Sequence, residues 1–370
     1  MAHPTQALIH LDRLTHNIRL LQELAGERPM WPAIKANAYG HGATLIARHL
    51  VGLGYTTLCV AHASEAIQLR EAGIAAAFLL LSAPLSEESA SIVEHGLEPV
   101  VCTRELASAL AAAAKRVGRP AIVHVKVDTG MGRIGMRPDE LPAFLEYCEE
   151  LEGVRVRGVM SHFPRADEAD KRFSLDQVAT FRRVQEQTRG HGIDVYHLAN
   201  SAGILDLPDA GFDAVRPGIS IYGLAPSATI ANPRVRELRP VLEWKTRISF
   251  LKEVPAGVGL SYGHSFRTKR PSLIATLPVG YGDGLSRGLS NRMEVGVGGH
   301  CCPQVGTITM DQTLVDVTAL RGRVRLGDEA VLIGRQGDVE LRADDLAAAL
   351  GTINYEIVTR LADRVARIAC

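Results

Sequence analysis

The feature that most constrains the fold of this chain is a regular alternation of short apolar runs with longer amphipathic segments. Eight apolar runs predict strands: Met30–Ile34, Thr57–Ala61, Phe78–Leu81, Glu98–Val101, Ile122–Val127, Val154–Met160, Val195–Leu198 and Ala214–Val215. Segments such as Thr103–Val117 and Ser174–Arg189 have helical periodicity, and Thr103 and Ser174 are typical helix starts. Eight strands alternating with helices predict an α/β fold, an eight-stranded (β/α) TIM-type barrel.

An open, doubly wound parallel sheet is the alternative, because counting apolar runs does not prove that a sheet closes. The dinucleotide-binding members of that class carry a G-x-G-x-x-G turn after their first strand. The stretch after Met30–Ile34 has no such turn. The closed barrel is therefore favoured.

The texture of the sequence changes after Gly223. Ala225–Pro240 contains three prolines and predicts a linker. The runs beyond it predict a mostly antiparallel β domain: Leu242–Phe250, Leu273–Leu277, Met293–Val297, Thr313–Val317 and Ala330–Ile333, closed by a helix at Arg342–Leu350. We expect a barrel over residues 1–235 and the β domain over residues 236–370. Residues 1–12, which include the alternating run Ala7–Leu11, are expected to pair with the second domain.

Composition excludes several classes of function. Lys and Arg number 41, as do Asp and Glu, so the formal net charge is zero and no nucleic-acid or anionic-membrane partner is expected. No apolar stretch approaches the roughly 18 residues that span a bilayer, and no secretion signal is evident, so a cytoplasmic location is expected. The six cysteines form no C-x-x-C pair and the histidines no H-E-x-x-H motif, so no metal is expected.

Polar residues follow the predicted strands at the end where barrel enzymes place their reactive groups. Five predicted strands are followed by such residues: Lys35 and Tyr39; Lys126, Asp128 and Arg133; His162; Asn200 and Ser201; and Arg216, Gly218 and Ile219. A desolvated lysine is the usual covalent carrier of an aldehyde cofactor, and exposed amides in the last two loops suit a phosphate. Together they indicate pyridoxal phosphate. Taken singly, each could be a surface lysine, a turn glycine or an N-cap serine.

Arg216 bears on the type of reaction. A guanidinium at the pyridine nitrogen would disfavour protonation of the ring, because two positive charges repel in a dry site. A weaker electron sink leaves a carbanion that regains its proton at Cα, which favours racemisation over transamination.

Several motifs in order along the chain carry a family resemblance: KANAYGHG, KVDTGMGRIG, HLANSAG, VRPGISIYGLAP, SYG at Ser261–Gly263, GYGDG, MDQ at Met310–Gln312 and INYE. Over nearly its whole length the chain resembles the alanine racemase family of fold-type III pyridoxal-phosphate enzymes. The resemblance implies L- and D-alanine interconversion in the cytoplasm, supplying D-alanine for peptidoglycan. It also implies a barrel, a β domain and a head-to-tail homodimer with two composite active sites.

The resemblance assigns roles to individual residues. Lys35 matches the cofactor-carrying lysine, which is also the base on the D-face of the substrate, and Tyr262 matches the partner chain's tyrosine on the L-face. The other matches are Arg133 near the cofactor's phenolic oxygen and the substrate carboxylate, Arg216 at the pyridine nitrogen, His162 orienting this polar chain, Tyr39, Ser201, Gly218, Ile219 and Tyr355 at the phosphate, Met310 and Asp311 at the partner's substrate, and Lys126 at a position often carbamylated. Asn200, beside Ser201 in the same motif, is also expected to bind the cofactor.

Two departures from the family pattern are Thr307, where an arginine is common, and Ala366, where a proline is common. Neither falls in the expected cofactor shell, so they bear on loop geometry and on substrate preference. Thr309, next to Met310, is expected to tune the size or polarity of the pocket, which leaves serine as a second candidate substrate. Two other functions stay open: a decarboxylase of basic amino acids on the same barrel, and a non-enzymatic pyridoxal-phosphate carrier. The decarboxylase leaves Tyr262 unexplained, and the carrier lacks a second domain.

Overall fold

The structure is a computed structural model that describes residues 3–370. It divides into two compact units. The barrel-like unit comprises Leu14–Ala38 and Ala43–Arg239; the sheet unit comprises the N-terminal residues up to Arg13, Tyr39–Gly42 and Pro240–Cys370.

The strands of the described residues are numbered in chain order: β1 Gln6–Ile9, β2 Thr57–Val60, β3 Ala77–Leu80, β4 Glu98–Val101, β5 Ala121–Lys126, β6 Val154–Met160, β7 Val195–His197, β8 Leu242–Arg247, β9 Phe250–Val254, β10 Gly259–Leu260, β11 Phe266–Arg267, β12 Ser272–Leu277, β13 Glu294–Val297, β14 His300–Pro303, β15 Thr313–Asp316, β16 Glu329–Gln336, β17 Val339–Leu341 and β18 Ala366–Ala369.

The right-handed α-helices are α1 Leu11–Ala25, α2 Ala43–Gly52, α3 Ala63–Glu71, α4 Ser89–Glu94, α5 Arg104–Val117, α6 Leu141–Glu149, α7 Arg172–Gln187, α8 Ser201–Asp206, α9 Ala343–Leu350 and α10 Asn354–Thr359. Short 3₁₀ turns lie at Ser86–Glu88, Pro138–Glu140, Pro208–Ala210, Ile219–Tyr222, Pro233–Glu237, Tyr262–His264, Tyr281–Asp283, Arg287–Leu289 and Thr318–Leu320.

In the barrel-like unit, β2 to β7 form a six-stranded, all-parallel sheet whose spatial order is the sequence order. A doubly wound sheet would reverse its strand order partway, and this sheet does not. Strands β2 and β4 are buried along their whole length, as expected where both faces of a parallel sheet are covered. Thr103 caps α5 by accepting a hydrogen bond from the Leu106 amide, and Gly118 ends the helix in the left-handed conformation.

The predicted strands Met30–Ile34 and Ala214–Val215 form only isolated bridges. Ala33 pairs with Cys59 of β2, Ala214 pairs with His197 of β7, and Met30 pairs with Val215. Prolines explain why no regular ladder forms, since Pro29, Pro32 and Pro217 flank these bridges and cannot donate a backbone hydrogen bond.

In the sheet unit, seven strands form one sheet of order β14-β13-β16-β8-β1-β18, with β17 paired to β16. Strand β1 pairs antiparallel with β8 and parallel with β18. A three-stranded sheet, β15-β12-β9, and the β10–β11 hairpin complete the unit. Trp244 is 1% exposed and Ile274 fully buried, so these sheets cover an apolar core.

Two boundary predictions are wrong. Leu242–Phe250 is not one strand: the Ile248 amide bonds Asp328 O and the Ser249 amide bonds Thr276 O, so β8 and β9 enter different sheets. Helix α7 begins at Arg172 rather than Ser174, because the Asp170 carboxylate accepts the Arg172 amide and Ser174 is already buried.

No helix within residues 3–370 is long and apolar enough to cross a membrane. Among the same residues, no three His, Cys, Asp or Glu side chains are grouped as metal ligands would be.

Candidate active site

Lys35 stands immediately before a left-handed helical turn. Ala36, Asn37, Ala38 and Tyr39 all have φ between 51° and 55°, a conformation that costs non-glycine residues about 1–2 kcal/mol each. Side chains from the barrel-like unit hold its first part, since Glu65 Oε1 accepts the Ala36 amide at 2.6 Å and Asn37 Oδ1 accepts the Ala43 amide at 2.7 Å. The position of Lys35 is therefore set by a constrained backbone.

The Lys35 side chain is half-buried at the carboxyl end of the segment Met30–Ile34, which forms isolated bridges. Burial lowers its pKa and the positive charge of Arg133 lowers it further, while Glu65 and the Cys59 thiol oppose this shift. A lowered pKa increases the fraction of neutral amine, which is the nucleophilic and basic form.

Lys126 ends strand β5 and is 2% exposed. Burial holds its pKa well below the ordinary value, assisted by Arg216 and Arg133 and opposed by Asp128. Asp128 also shapes the following loop: its carboxylate accepts the Gly130 amide at 2.8 Å and the Gly132 amide at 2.9 Å. Arg133 lies exposed just beyond these glycines.

Arg216 is 3% exposed and donates to buried acceptors. Its Nη2 donates to Ser161 O at 2.7 Å and to Leu198 O at 3.2 Å, and its Nη1 donates to Nδ1 of His197. Burial lowers the pKa of Arg216 to about 10, so the guanidinium remains charged at neutral pH.

A chain of buried groups continues from Arg216 into the interior of the barrel-like unit. His197 Nε2 lies 2.9 Å from His124 Nδ1, and His124 Nε2 lies 3.0 Å from a Glu98 carboxylate oxygen. Because arginine can only donate, Nδ1 of His197 accepts; its Nε2–H then donates to His124, whose Nε2–H donates to Glu98. Burial lowers the pKa of both histidines, which agrees with two neutral imidazoles. We call Arg216, His197, His124 and Glu98 the interior relay.

Two further residues accommodate the interior relay. Arg157 Nη1 donates to both Glu98 oxygens at 2.7 and 2.9 Å, which anchors its far end. At Gly158 a Cβ would lie 2.4 Å from His124 Nδ1, so only glycine leaves room for this imidazole.

His162 follows β6 and is half-buried. Burial holds its pKa well below the ordinary value, and the positive charges of Lys126 and Arg216 act in the same direction. A neutral imidazole is therefore expected at this position at neutral pH.

Hydroxyls and amides after β7 and after the bridged segment Ala214–Val215 form a small cradle. Ser201 Oγ accepts the Gly218 amide at 2.8 Å and the Ser220 amide at 3.4 Å, so its own hydrogen is free to be donated. Ser220 Oγ is buried and has no partner among the described residues. Asn200 caps α8 by accepting the Gly203 amide, so the alternative in which Ser201 is only an N-cap residue does not apply. Ile219 is buried beside Gly218. Unmet hydroxyl donors fit an anion such as a phosphate.

The remaining predicted site residues belong to the sheet unit. The ring centroids of Tyr39 and Tyr355 are 6.2 Å apart. Tyr262 lies at the tip of the β10–β11 hairpin and is 74% exposed. Met310 is exposed, and Asp311 is held by Arg364, which donates to its carboxylate at 2.9 Å and to buried Asp283 at 2.7 Å.

The sequence assigned no role to the residues behind Arg216, namely His197, His124 and Glu98, although His197 opens the HLANSAG motif. Each is a polar residue within a mostly apolar predicted strand, and that exception to the pattern was the available signal. The hydrogen bonds among these residues could not be inferred without the pairing of neighbouring strands, because the bonded residues lie 26 and 73 positions apart in sequence.

A parallel barrel-like sheet, followed by a sheet unit and carrying amines, guanidiniums and a hydroxyl-lined cradle at its strand ends, defines a two-domain enzyme of the barrel type. Family models described as "Alanine racemase, N-terminal domain" and "Alanine racemase, C-terminal domain" match residues 9–226 and 241–369. The chain belongs to the alanine racemase family.

Individual relatives agree along the full length. The chain is 43% identical to the alanine racemase of Halothermothrix orenii, covering 99% of this chain and 97% of that protein. It is 43% identical to that of Carboxydothermus hydrogenoformans, covering 99% of each. A solved alanine racemase from Clostridium difficile 630 superimposes with a TM-score of 0.94 at 36% identity, covering 99% of this chain and 95% of that one. These matches favour the racemase over the decarboxylase and the carrier.

Proposed function

We propose that this chain is a pyridoxal-phosphate-dependent alanine racemase that interconverts L- and D-alanine with Lys35 and Tyr262 as the two bases. The observation that carries the proposal is Lys35 itself, a half-buried amine of lowered pKa at the strand ends of the barrel-like unit. Membership of the family supplies the reaction and the substrate. Supply of D-alanine for peptidoglycan, in the cytoplasm, is the expected role.

Pyridoxal phosphate, when bound, supplies an electron-withdrawing ring that stabilises negative charge at the substrate Cα. The cradle of Ser201, Gly218, Ile219 and Ser220 fits its phosphate, because the Ser201 and Ser220 hydroxyls retain hydrogens to donate. By family resemblance, Asn200, Tyr39 and Tyr355 join this binding set.

The residues around Lys35 divide the remaining work. Lys35 holds and moves the proton on the D-face, and its lowered pKa makes the neutral amine accessible. Arg216 keeps a charged guanidinium that donates a hydrogen bond to neutral His197. With the cofactor bound, this guanidinium would face the pyridine nitrogen and would disfavour proton transfer to it. Arg133 binds the substrate carboxylate. Neutral His162 orients the polar side chains around it.

Lys126 is proposed to be carbamylated. A neutral lysine amine is the form that attacks carbon dioxide, and burial of Lys126 lowers its pKa and so favours that form. The product is an anion, which between the charges of Arg133 and Arg216 would be more favourable than a buried cation.

The assembly and the fold details are also proposals. A head-to-tail homodimer would place Tyr262, Met310 and Asp311 of one chain at the substrate of its partner. The bridges at Ala33, Met30 and Ala214 support a closed, eight-stranded barrel. The pairing of β1 with β8 and β18 supports assigning residues 1–12 to the second domain. The expected boundary between residues 235 and 236 lies four residues before the point where the two compact units divide, between Arg239 and Pro240.

Two variants test the proposed bases. Lys35→Ala is expected to abolish the visible absorbance of the bound cofactor together with most of the activity, and retained absorbance would remove Lys35 from its role. Tyr262→Phe is expected to slow exchange of the α-proton of L-alanine with solvent deuterium far more than that of D-alanine. Equal slowing for both enantiomers would refute the two-face assignment.

A further inference from the structure

The turn that carries Tyr262 is strained. Ser261 has φ 58° and His264 has φ 46°, so both neighbours of the Tyr262–Gly263 pair occupy the left-handed region without being glycine. Each such residue costs about 1–2 kcal/mol unless surrounding contacts fix it. Tyr262 itself is largely exposed, so packing of its ring does not hold the turn in place.

Thr307 lies beneath this turn and makes the fixing contacts. It is 7% exposed, and its Oγ1 donates to the backbone oxygen of Tyr262 at 2.8 Å. In the opposite direction, Ser261 Oγ donates to the backbone oxygen of Thr307 at 2.6 Å. Residues 261 and 262 are thus bound to one threonine through both its side chain and its backbone.

The direction of the hydrogen bonds follows from counting hydrogens. The only hydroxyl hydrogen of Thr307 goes to Tyr262 O, so Ser265 Oγ, 3.1 Å away, must donate to Thr307 Oγ1. Asn291 Nδ2 in turn donates to Ser265 Oγ at 3.3 Å. The hydrogen bonds therefore all run in one direction: Asn291 donates to Ser265, Ser265 to Thr307, and Thr307 to the backbone oxygen of Tyr262, the proposed base.

The segment bearing Thr307 is itself anchored. The Gly306 amide donates to Asn291 Oδ1 at 2.6 Å, and the Ile308 amide donates to Ser290 Oγ at 3.0 Å. Gly306 has φ 78°, and a Cβ there would lie 2.9 Å from Leu260 O, so glycine is what allows this segment to approach the hairpin.

We infer that Thr307 is a positioning residue, whose hydroxyl fixes the backbone of Tyr262 and thereby the direction in which the phenol is presented to the substrate. The inference rests on the proposed function, because it gives Tyr262 the role of base on the L-face. Thr307 does not itself touch the reacting atoms; it acts through the Tyr262 carbonyl.

Thr307→Val tests this with nearly the same side-chain volume and no hydroxyl. In the cofactor-loaded enzyme in deuterium oxide, we expect loss of the L-alanine α-proton to slow about tenfold, the scale of one lost hydrogen bond to a neutral group. Loss of the D-alanine α-proton, which Lys35 removes, should be unchanged. Thr307→Ser, which retains the donor, should restore the wild-type rate.

The matched control is Thr246→Val in the same unit. Thr246 is 1% exposed and its hydroxyl bonds Thr5 Oγ1 at 2.8 Å, so the same isosteric change removes a buried hydroxyl away from the hairpin. We expect no enantiomer-selective effect from it. Should Thr307→Val fail to fold, Ser265→Ala removes the donor to Thr307 and is expected to give a smaller effect with the same selectivity.

The outcomes separate this inference from the proposed function. If Tyr262→Phe slows L-alanine exchange selectively but Thr307→Val behaves like the control, Thr307 has no positioning role and the two bases stand. If Tyr262→Phe shows no selectivity, the two-base assignment falls and the inference falls with it. In the Tyr262→Phe background, Thr307→Val should add nothing; an additional selective loss would also overturn the inference.

Discussion

Replacing Glu98 by glutamine puts a hydrogen-bond donor at the end of the interior relay, where the structure has only acceptors. The carboxylate accepts hydrogen bonds from His124 Nε2 at 3.0 Å and from Arg157 Nη1 at 2.7 Å, both of which are donors. A glutamine offers one acceptor oxygen and one donor amide group, so in either orientation its amide hydrogens face at least one of these two donors. If its amide donates to His124, both imidazoles must change tautomer, and the Nδ1–H of His197 then faces the guanidinium of Arg216.

The magnitude follows from the bonds lost. Hydrogen bonds to a charged group contribute about 1.5–3 kcal/mol each, and breaking a buried ion pair from one side costs about 3–5 kcal/mol. Arg157 is partly exposed, with 29% of its side chain accessible, which reduces its share. We therefore expect Glu98→Gln to lower the free energy of unfolding by about 3 kcal/mol at pH 7.

The loss should depend on pH in a defined direction. Burial alone would raise the pKa of Glu98, but hydrogen bonds and charges from His124 and Arg157 outweigh it, and the pKa in the folded state is lowered. The stabilisation by Glu98 is therefore present in full above the pKa of an unfolded glutamate, about 4.3, and is lost as pH falls through the folded-state value. The difference between the wild type and Glu98→Gln should shrink in acid.

Urea denaturation followed by tryptophan fluorescence measures this difference. The Trp31 ring centroid is 4.8 Å from that of His197, so Trp31 reports on the interior relay once Trp244 is replaced by phenylalanine in every protein compared. Cofactor content must be held fixed, because ligand binding shifts stability. Glu152→Gln, at an exposed glutamate without a partner among residues 3–370, is the control. A loss that is equal at pH 3.5 and pH 7, or no greater than the control's, would refute the tautomer argument.

Three further predictions concern assembly and local structure. Mixing a Lys35→Ala variant with a Tyr262→Phe variant should restore part of the activity after subunit exchange, since one heterodimer site is intact; no recovery despite proven exchange would place each site in one chain. Asp283→Asn should release Arg364, which also binds Asp311, and should raise the KM for alanine more than it lowers kcat; unchanged kinetics would show that this ion pair does not order Met310 and Asp311. Thr103→Ala should lower the free energy of unfolding by about 1 kcal/mol through loss of the α5 cap, measured by urea denaturation.

Apolar runs predicted β4 and β6 of the barrel-like unit although the two strands differ in burial: β4 is buried throughout, whereas β6 is buried only over residues 158–160. Glu98–Val101 and Val154–Met160 coincide with β4 and β6 residue for residue. In contrast, the exchange of sheets at Ile248 and Ser249 depends on acceptors at Asp328 and Thr276, which lie far away in sequence. An apolar run shows that a segment is buried, but it does not show which neighbour receives its amides.

The site divides in the same way. Motifs supplied Lys35, Arg216 and Ser201, because these residues stand at strand ends where local pattern and position coincide. The histidines behind Arg216 could not be assigned, since their role comes from the parallel pairing of β4, β5, β6 and β7. Local sequence predicts which groups are present, and tertiary pairing decides which of them are donors, acceptors or charged.

Backbone strain links the two proposed bases. Eight non-glycine residues within residues 3–370 have positive φ, and six of them adjoin either Lys35 or the Tyr262–Gly263 pair. Such conformations persist only where surrounding contacts over-determine them. At Lys35 those contacts come from Glu65 and Asn37, and at Tyr262 they come from Thr307.

This distribution fits a requirement of racemisation. A planar carbanion must be approached from opposite sides by two groups with fixed directions, and an error of about 1 Å in either can cost about 10²-fold in rate. Long flexible side chains such as lysine, and exposed ones such as Tyr262, cannot obtain that direction from packing alone. A strained backbone, fixed by hydrogen bonds from elements distant in sequence, sets the point from which each side chain starts. The strained turn beside each base therefore lowers the free energy of unfolding. Variants that remove the backbone strain at either turn should gain stability while losing activity.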